Sequence, residues 1–218
     1  MNSMNPPQAH QRTRIKVCGI TTPEMALAAV DSGADAIGFV FVEDTPRYIN
    51  PDDATAIMFG LPPMVSAVGV IRDLDVDQFC ELEQRCPAQL MQLHGKEPVE
   101  TVRQCGPGVI KGFRFDGATI ASQLERWGAV DEVDAVLIDG SDGGTGESFD
   151  WAALATHLDG FDKPIILAGG LDAGNVAEAI RTIRPFAVDV SSGVESSPGV
   201  KDPAKIAAFC AAVRAADS

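Results

Sequence analysis

From Ile15 onward, short apolar runs rich in β-branched residues alternate with stretches whose apolar positions recur at spacings of three and four. Runs of the first kind read as buried strands, and stretches of the second kind read as amphipathic helices. The pattern predicts strands at 15–18, 36–41, 66–71, 89–93, 109–115, 135–139, 164–168 and 187–190. Helices are expected in the gaps, opened by a capping residue or a first-turn proline at Thr22-Pro23-Glu24, Asp73, Pro98, Thr119, Asp150, Asp172 and Asp202-Pro203. Pro51, Gly60, Pro62 and Pro63 interrupt the second of these stretches, so that helix is expected to be short, over 52–59. Eight strand–helix repeats with no linker between them predict an α/β protein, a single (β/α)8 TIM barrel of eight parallel strands. A doubly wound open sheet uses a similar alternation and remains the alternative. The barrel is expected to fill 15–218 as one catalytic domain, with residues 1–14 as a disordered extension, because Pro, Asn and Gln there supply no core.

Two of the predicted strands break off at a reactive side chain. KVCGIT (16–21) ends its apolar run on the thiol of Cys18, and VLIDGSDGGTGESFDW (136–151) ends its run on the carboxylate of Asp139. In a parallel α/β fold such positions sit at the carboxyl edge of the sheet, where chemistry is done. A thiol and an acid delivered to that edge are a candidate proton-transfer pair. The bland readings are a buried structural thiol for Cys18 and a turn aspartate before Gly140 for Asp139.

Three glycine-rich loops follow the last three strands: DGGTG (142–146), AGGL (168–171) and SSGV (191–194). Glycine lets backbone amides approach an anion with no Cβ in the way, and the late loops of such barrels commonly bind phosphate. Gly143, Gly144, Gly146, Gly169, Gly170, Ser191, Ser192 and Gly193 are therefore candidate phosphate-binding residues. The first loop also reads as a lid over substrate. The serines of the third also read as a helix cap, whose N-terminus would itself face a phosphate.

Composition narrows the partners. A net charge of −14 with 17 scattered basic residues argues against a nucleic-acid backbone or an anionic membrane surface. No run approaches the ~20 apolar residues of a membrane span, and the opening segment lacks an apolar signal region. Five cysteines, odd in number and without metal or redox spacing, read as free thiols of a cytoplasmic protein. Cys80, Cys86, Cys105 and Cys210 fall on helical patterns or in loops and read as structural.

The runs KVCGIT, GFVFVEDTPRYI, QLHGKE, IDGSDGGTGESFDW, ILAGGLDAGNV and DVSSGVESSPGVKDPAKI together resemble the phosphoribosylanthranilate isomerase family of tryptophan biosynthesis, in the family's order and from about Lys16 to Phe209. Thr45 stands where Ser is usual and Ala173 where Pro is common, and neither change removes a group that the chemistry needs. The resemblance implies an Amadori rearrangement of N-(5'-phosphoribosyl)anthranilate to 1-(2-carboxyphenylamino)-1-deoxyribulose 5-phosphate, by an intramolecular oxidoreductase of the aldose–ketose type. It implies a small-molecule phosphosugar substrate, no metal, no cofactor, and a monomer or homodimer. It makes Asp139 the general acid and Cys18 the general base, gives Arg47 the anthranilate carboxylate, and puts His94 and Asp189 beside the substrate. The residues agree with that split: apolar neighbours favour a protonated Asp139, whereas a nearby cation would favour the Cys18 thiolate, and Lys16 shares the strand face of Cys18.

Two other readings compete. Indole-3-glycerol-phosphate synthase, a lyase on a similar barrel, would need a catalytic lysine and would leave KVCGIT out of place. A phosphosugar-binding barrel without catalysis has no use for both Cys18 and Asp139. Asp189 also reads as a member of the barrel's polar layer, and His94 as a satisfied structural histidine.

Overall fold

Side-chain alternation along each strand decides what faces the barrel axis and what faces the helices. In the computed structural model, which describes residues 12–140 and 149–217, the strands are β1 (Arg14–Cys18), β2 (Ala36–Val40), β3 (Ser66–Ile71), β4 (Leu90–Leu93), β5 (Val109–Arg114), β6 (Val133–Asp139), β7 (Ile165–Leu167) and β8 (Ala187–Val190). All neighbours pair in parallel, and β8 returns to pair with β1, so the sheet closes in the order of the chain. That closure excludes the open doubly wound sheet.

Alternate residues such as Ile15 and Val17 of β1, Val136 and Ile138 of β6 and Val188 and Val190 of β8 join one large cluster with the helices. Their neighbours Val68, Ile110, Ala135, Leu137, Ile166 and Ala187 pack on one another inside the barrel. The interior is thus an apolar plug, and a polar layer built from Lys16, Gln92 and Asp189 is buried with it.

The helices are α1 (Pro23–Asp31), α2 (Pro51–Phe59), α3 (Val76–Arg85), α4 (Val99–Cys105), α5 (Ile120–Gly128), α6 (Trp151–Ala155), α7 (Val176–Ile183) and α8 (Pro203–Ala216). Thr22, Asn50, Asp150 and Asp202 cap their helices through side-chain oxygens, and Pro51, read in the sequence as a break, is the first-turn proline of α2. Two helix starts differ from expectation. Helix α3 begins after Asp75, which forms a reciprocal capping box with Gln78, whereas Asp73 sits in the loop with φ of 54°. Helix α7 begins after Asn175, because the Asp172 carboxylate turns back onto the amides of Gly174 and Asn175. The chain between β8 and α8 is also richer than expected. It holds a 3-10 turn (Ser192–Val194) and an antiparallel hairpin of β9 (Glu195–Ser197) and β10 (Val200–Lys201), so the serines do not cap α8.

At the amino end, order begins before the expected boundary. The Arg12 guanidinium pairs with Asp35, the Thr13 amide and hydroxyl donate to the Asp217 carboxylate at 2.8 and 2.7 Å, and β1 starts at Arg14. The rest of the expected extension lies outside the described residues.

Lys111 shows how the loop after β4 is held. Its buried ammonium lies 2.8–3.0 Å from the carbonyls of Leu93, Gly95 and Gly112 and 2.9 Å from Glu97, acceptors that share its three N–H groups. Glu97 in turn accepts the amides of Asp73 and Gly95. Removing one member leaves a buried charge and several carbonyls unmatched. Lys111→Met should therefore lower unfolding stability by about 3–5 kcal/mol in urea titrations, whereas a loss under 1 kcal/mol would mean that the loop is held by packing alone.

Candidate active site

The interior parity that buries Leu137 also turns the last side chains of several strands into one cleft at the carboxyl end of the barrel. Cys18 closes β1, Asp139 closes β6, His94 follows β4 and Asp189 lies in β8, and all four line this cleft together with Arg47. Glycines on neighbouring strands and in the loop after β7 leave the space that these side chains occupy. A Cβ on Gly38, the register partner of Cys18, would lie 2.8 Å from Sγ. One on Gly112 would overlap the His94 ring, and one on Gly169 would lie 2.7 Å from Asp139 Oδ1.

Beneath Cys18, Lys16 Nζ donates to Asp189 Oδ1 at 2.9 Å, with both side chains buried. Burial alone would lower the lysine's pKa, but the Asp189 carboxylate and Cys18 outweigh it and hold the ammonium charged. The pairing gives Asp189 its polar-layer place as well as its place in the cleft wall. For Cys18 the sequence suggested that a nearby cation would favour the thiolate, and Lys16 and Lys201 do pull in that direction. Burial is the larger effect and, with the Asp189 charge, raises the thiol's pKa above its ordinary value.

His94 is a neutral imidazole here. Burial first, then the charges of Lys111, Lys16 and Arg72, lower its pKa to about 4. The Gln92 side-chain nitrogen approaches Nδ1 at 2.8 Å as donor, which leaves the ring proton on Nε2, and Nε2 stands 3.8 Å from Asp139 Oδ2. Among the described residues, Gln92 Oε1 has no hydrogen-bond partner and is buried in the cleft wall.

Arg47 is 14% exposed and lies in the cleft, not on the free surface. Its Nε and Nη2 donate to Glu195 Oε1 and Oε2 at 2.7 and 2.8 Å. Lys201 Nζ donates to the same Oε1 at 2.8 Å and to the Ser191 carbonyl at 3.0 Å. Burial opposes ionisation of Glu195, but Arg47 and Lys201 outweigh it and lower its pKa.

The loops after β7 and β8 also line the cleft. Gly169, Gly170, Ser191 and Ser192 line the cleft, and Gly169 and Gly170 take φ of 91° and 63°, a region open to glycine at little cost. Asn175 Nδ2 donates to the Gly170 carbonyl at 2.7 Å, and Ser191 Oγ donates to the Cys18 carbonyl at 3.1 Å, which ties both loops to the site. Gly193 stands behind the lining, with its Cα against the Leu171 carbonyl. Gly143, Gly144 and Gly146 lie outside the described residues. Reading strands for reactive ends missed Gln92, Glu195 and Lys201, and it placed Lys16 beside Cys18 without its partner Asp189. Lys16 and Gln92 carried a usable signal, a polar residue inside an apolar strand.

Among the described residues no helix is long and apolar enough to cross a membrane. A closed eight-stranded barrel with ionisable groups converging at its carboxyl end defines an α/β-barrel enzyme. The family profile described as N-(5'-phosphoribosyl)anthranilate (PRA) isomerase matches residues 15–212. An N-(5'-phosphoribosyl)anthranilate isomerase of Geobacter metallireducens is 45% identical over 202 residues, covering 90% of this chain and 96% of that protein. The crystal structure of phosphoribosyl anthranilate isomerase from Thermus thermophilus superposes with a TM-score of 0.84 at 39% identity, covering 93% of this chain and 99% of the other. A phosphoribosyl anthranilate isomerase in complex with reduced 1-(o-carboxyphenylamino)-1-deoxyribulose 5-phosphate gives a TM-score of 0.81 at 39% identity, with the same coverage. The chain belongs to the phosphoribosylanthranilate isomerase family.

The state of His94 has a consequence for stability. Its folded pKa of about 4 lies below the unfolded value of 6.5, so the unfolded chain takes up the proton first as pH falls. The stability linked to the neutral ring is complete above pH 6.5 and is lost as pH falls from there toward 4. Between pH 7 and pH 5 the wild type should lose about 2 kcal/mol more than His94→Asn in urea titrations, and equal losses would show that the ring is not held neutral.

Proposed function

We propose that this isomerase converts N-(5'-phosphoribosyl)anthranilate into 1-(2-carboxyphenylamino)-1-deoxyribulose 5-phosphate, with Asp139 as general acid and Cys18 as general base. The observation that carries the reading is that these two side chains, far apart in sequence, end β1 and β6 and line one cleft. In the first step Asp139 gives its proton to the furanose ring oxygen, the bond from that oxygen to C1' breaks, and the anilino nitrogen supplies the electron pair that forms the iminium. In the second, Cys18 takes the proton from C2', the electrons move into C1'–C2', and the enolamine tautomerises to the ketone. C1' is reduced and C2' is oxidised, so the conversion is an internal redox of the aldose–ketose type and balances without a co-reactant.

Electrostatics assist each step. The raised pKa of Cys18 keeps it a thiol in the free protein; the iminium formed beside it adds a positive charge that favours the thiolate, and the thiol proton is released to solvent before Cys18 takes the proton from C2'. His94, with its proton on Nε2, faces the Asp139 carboxylate as a donor once the acid has lost its proton. Arg47 offers its planar fork to the anthranilate carboxylate. The phosphate is assigned to the wall of Gly169, Gly170, Ser191 and Ser192, with Gly193 letting the two loops approach and the 142–146 loop contributing Gly143, Gly144 and Gly146. The five free thiols support a cytoplasmic setting.

Asp139→Asn and Cys18→Ala should each lower kcat by on the order of 10²-fold or more while the Kd of a product analogue stays nearly constant. Turnover close to wild type in either variant would remove that residue from its role. Inorganic phosphate should inhibit competitively against the substrate in steady-state assays, because the loops after β7 and β8 would bind it in place of the sugar's 5'-phosphate. Inhibition that leaves KM unchanged would move the phosphate site elsewhere.

A further inference from the structure

Apart from the pull of Lys201 on Cys18, the hairpin between β8 and α8 takes no part in the acid–base chemistry, yet it carries two buried charges toward Arg47. We propose that Glu195, locked by Lys201, is a positioning residue that aims the outer fork of Arg47 into the cleft and thereby sets selectivity for a carboxylate on the substrate's aryl amine. The proposal rests on the assignment of Arg47 to that carboxylate.

A guanidinium has five N–H groups in one plane. Glu195 takes Nε–H and one N–H of Nη2, which occupies the side edge of the group. The two N–H groups of Nη1 and the second of Nη2 make up the other edge, a fork that matches a carboxylate. Arg47 lines the cleft, whereas Glu195 and Lys201 stand behind it. The plane of the guanidinium and the direction of its outer fork therefore follow from where Glu195 is held.

Glu195 is held on several sides. It faces Lys201 across the hairpin as register partner, so the two side chains share a face, and Lys201 Nζ bonds Oε1 at 2.8 Å. Lys205 of α8 donates to the Glu195 carbonyl at 2.6 Å. The hairpin turn is also packed on the loop that carries the arginine, since Gly199 lies against the Pro46 carbonyl with no room for a Cβ. On its other side the Arg47 stem packs on Gly19, where a Cβ would meet Cδ at 2.8 Å. The Glu195 carboxylate and the two cations bonded to it, Arg47 and Lys201, together carry a single positive charge, the complement of one carboxylate.

The test measures binding of two stable ligands by calorimetry: the reduced product analogue, and the same compound without its ring carboxylate. Glu195→Gln keeps the shape but weakens the clamp, and Glu195→Asp keeps the charge but draws the fork back by a methylene. Each should raise the Kd of the carboxylated ligand by about tenfold or more, with Gln the larger effect, and leave that of the other ligand within about twofold. Equal weakening of both ligands, or no change in either, would overturn the proposal, and Glu195→Asp decides it should Glu195→Gln fail to fold. Arg47→Gln separates the two levels of the argument. If it leaves the preference for the carboxylated ligand intact, the Arg47 assignment fails and the proposal with it. If it abolishes the preference while the Glu195 variants keep it, the proposal alone fails.

Discussion

The buried pair of Lys16 and Asp189 joins the two ends of the barrel's chain path. The residues are register partners where β8 meets β1, so their contact lies at the seam that turns eight strands into a closed sheet. A buried ion pair contributes little net stability compared with apolar residues of the same volume, because desolvation of two charges offsets their attraction. Breaking it from one side is costly, since a lone charge would be left in the interior. The pair therefore acts as a constraint on register and as a fixed cation under Cys18, and a one-residue slip of β8 would send Asp189 to the helix side.

Around that constraint the cleft is organised as separate electrostatic tasks. Lys16 and Lys201 oppose the burial that keeps Cys18 a thiol, and the neutral His94 presents an N–H toward Asp139 without adding a charge. Arg47 brings a further positive charge to the cleft, tied to Glu195 and Lys201. Asp189 and Arg47 are held by Lys16 and Glu195 behind them, so their geometry is in place before a ligand arrives and needs little reorganisation at reaction. Small residues complete the arrangement: Gly38, Gly112 and Gly169 leave the room that the thiol, the imidazole and the carboxyl group occupy.

Much of the fold was legible along the chain, because a barrel strand buried on both faces reads as an unbroken apolar run and the helices between announce themselves by caps and periodicity. Strands β3 and β8 begin and end where the pattern places them, and the others differ by one or two residues at their ends. The failures have local causes. Asp73 and Asp172 look like helix caps, but Asp75 and Asn175 hold those places, since two acidic or amide residues close in the chain compete for one cap. The hairpin at 195–201 is short and polar, and nothing in its alternation distinguishes it from a loop.

By itself the sequence determined the alternation that makes a parallel barrel, the reactive strand ends at Cys18 and Asp139, and the glycine-rich character of the late loops, because all of these are set by neighbours in the chain. Tertiary structure alone decided the rest. Which charges meet depends on closure, which brings Lys16 to Asp189 across 173 residues and Arg47 to Glu195 across 148. Whether a thiol or an imidazole is charged depends on burial, and burial is a property of the packed barrel that no single segment carries.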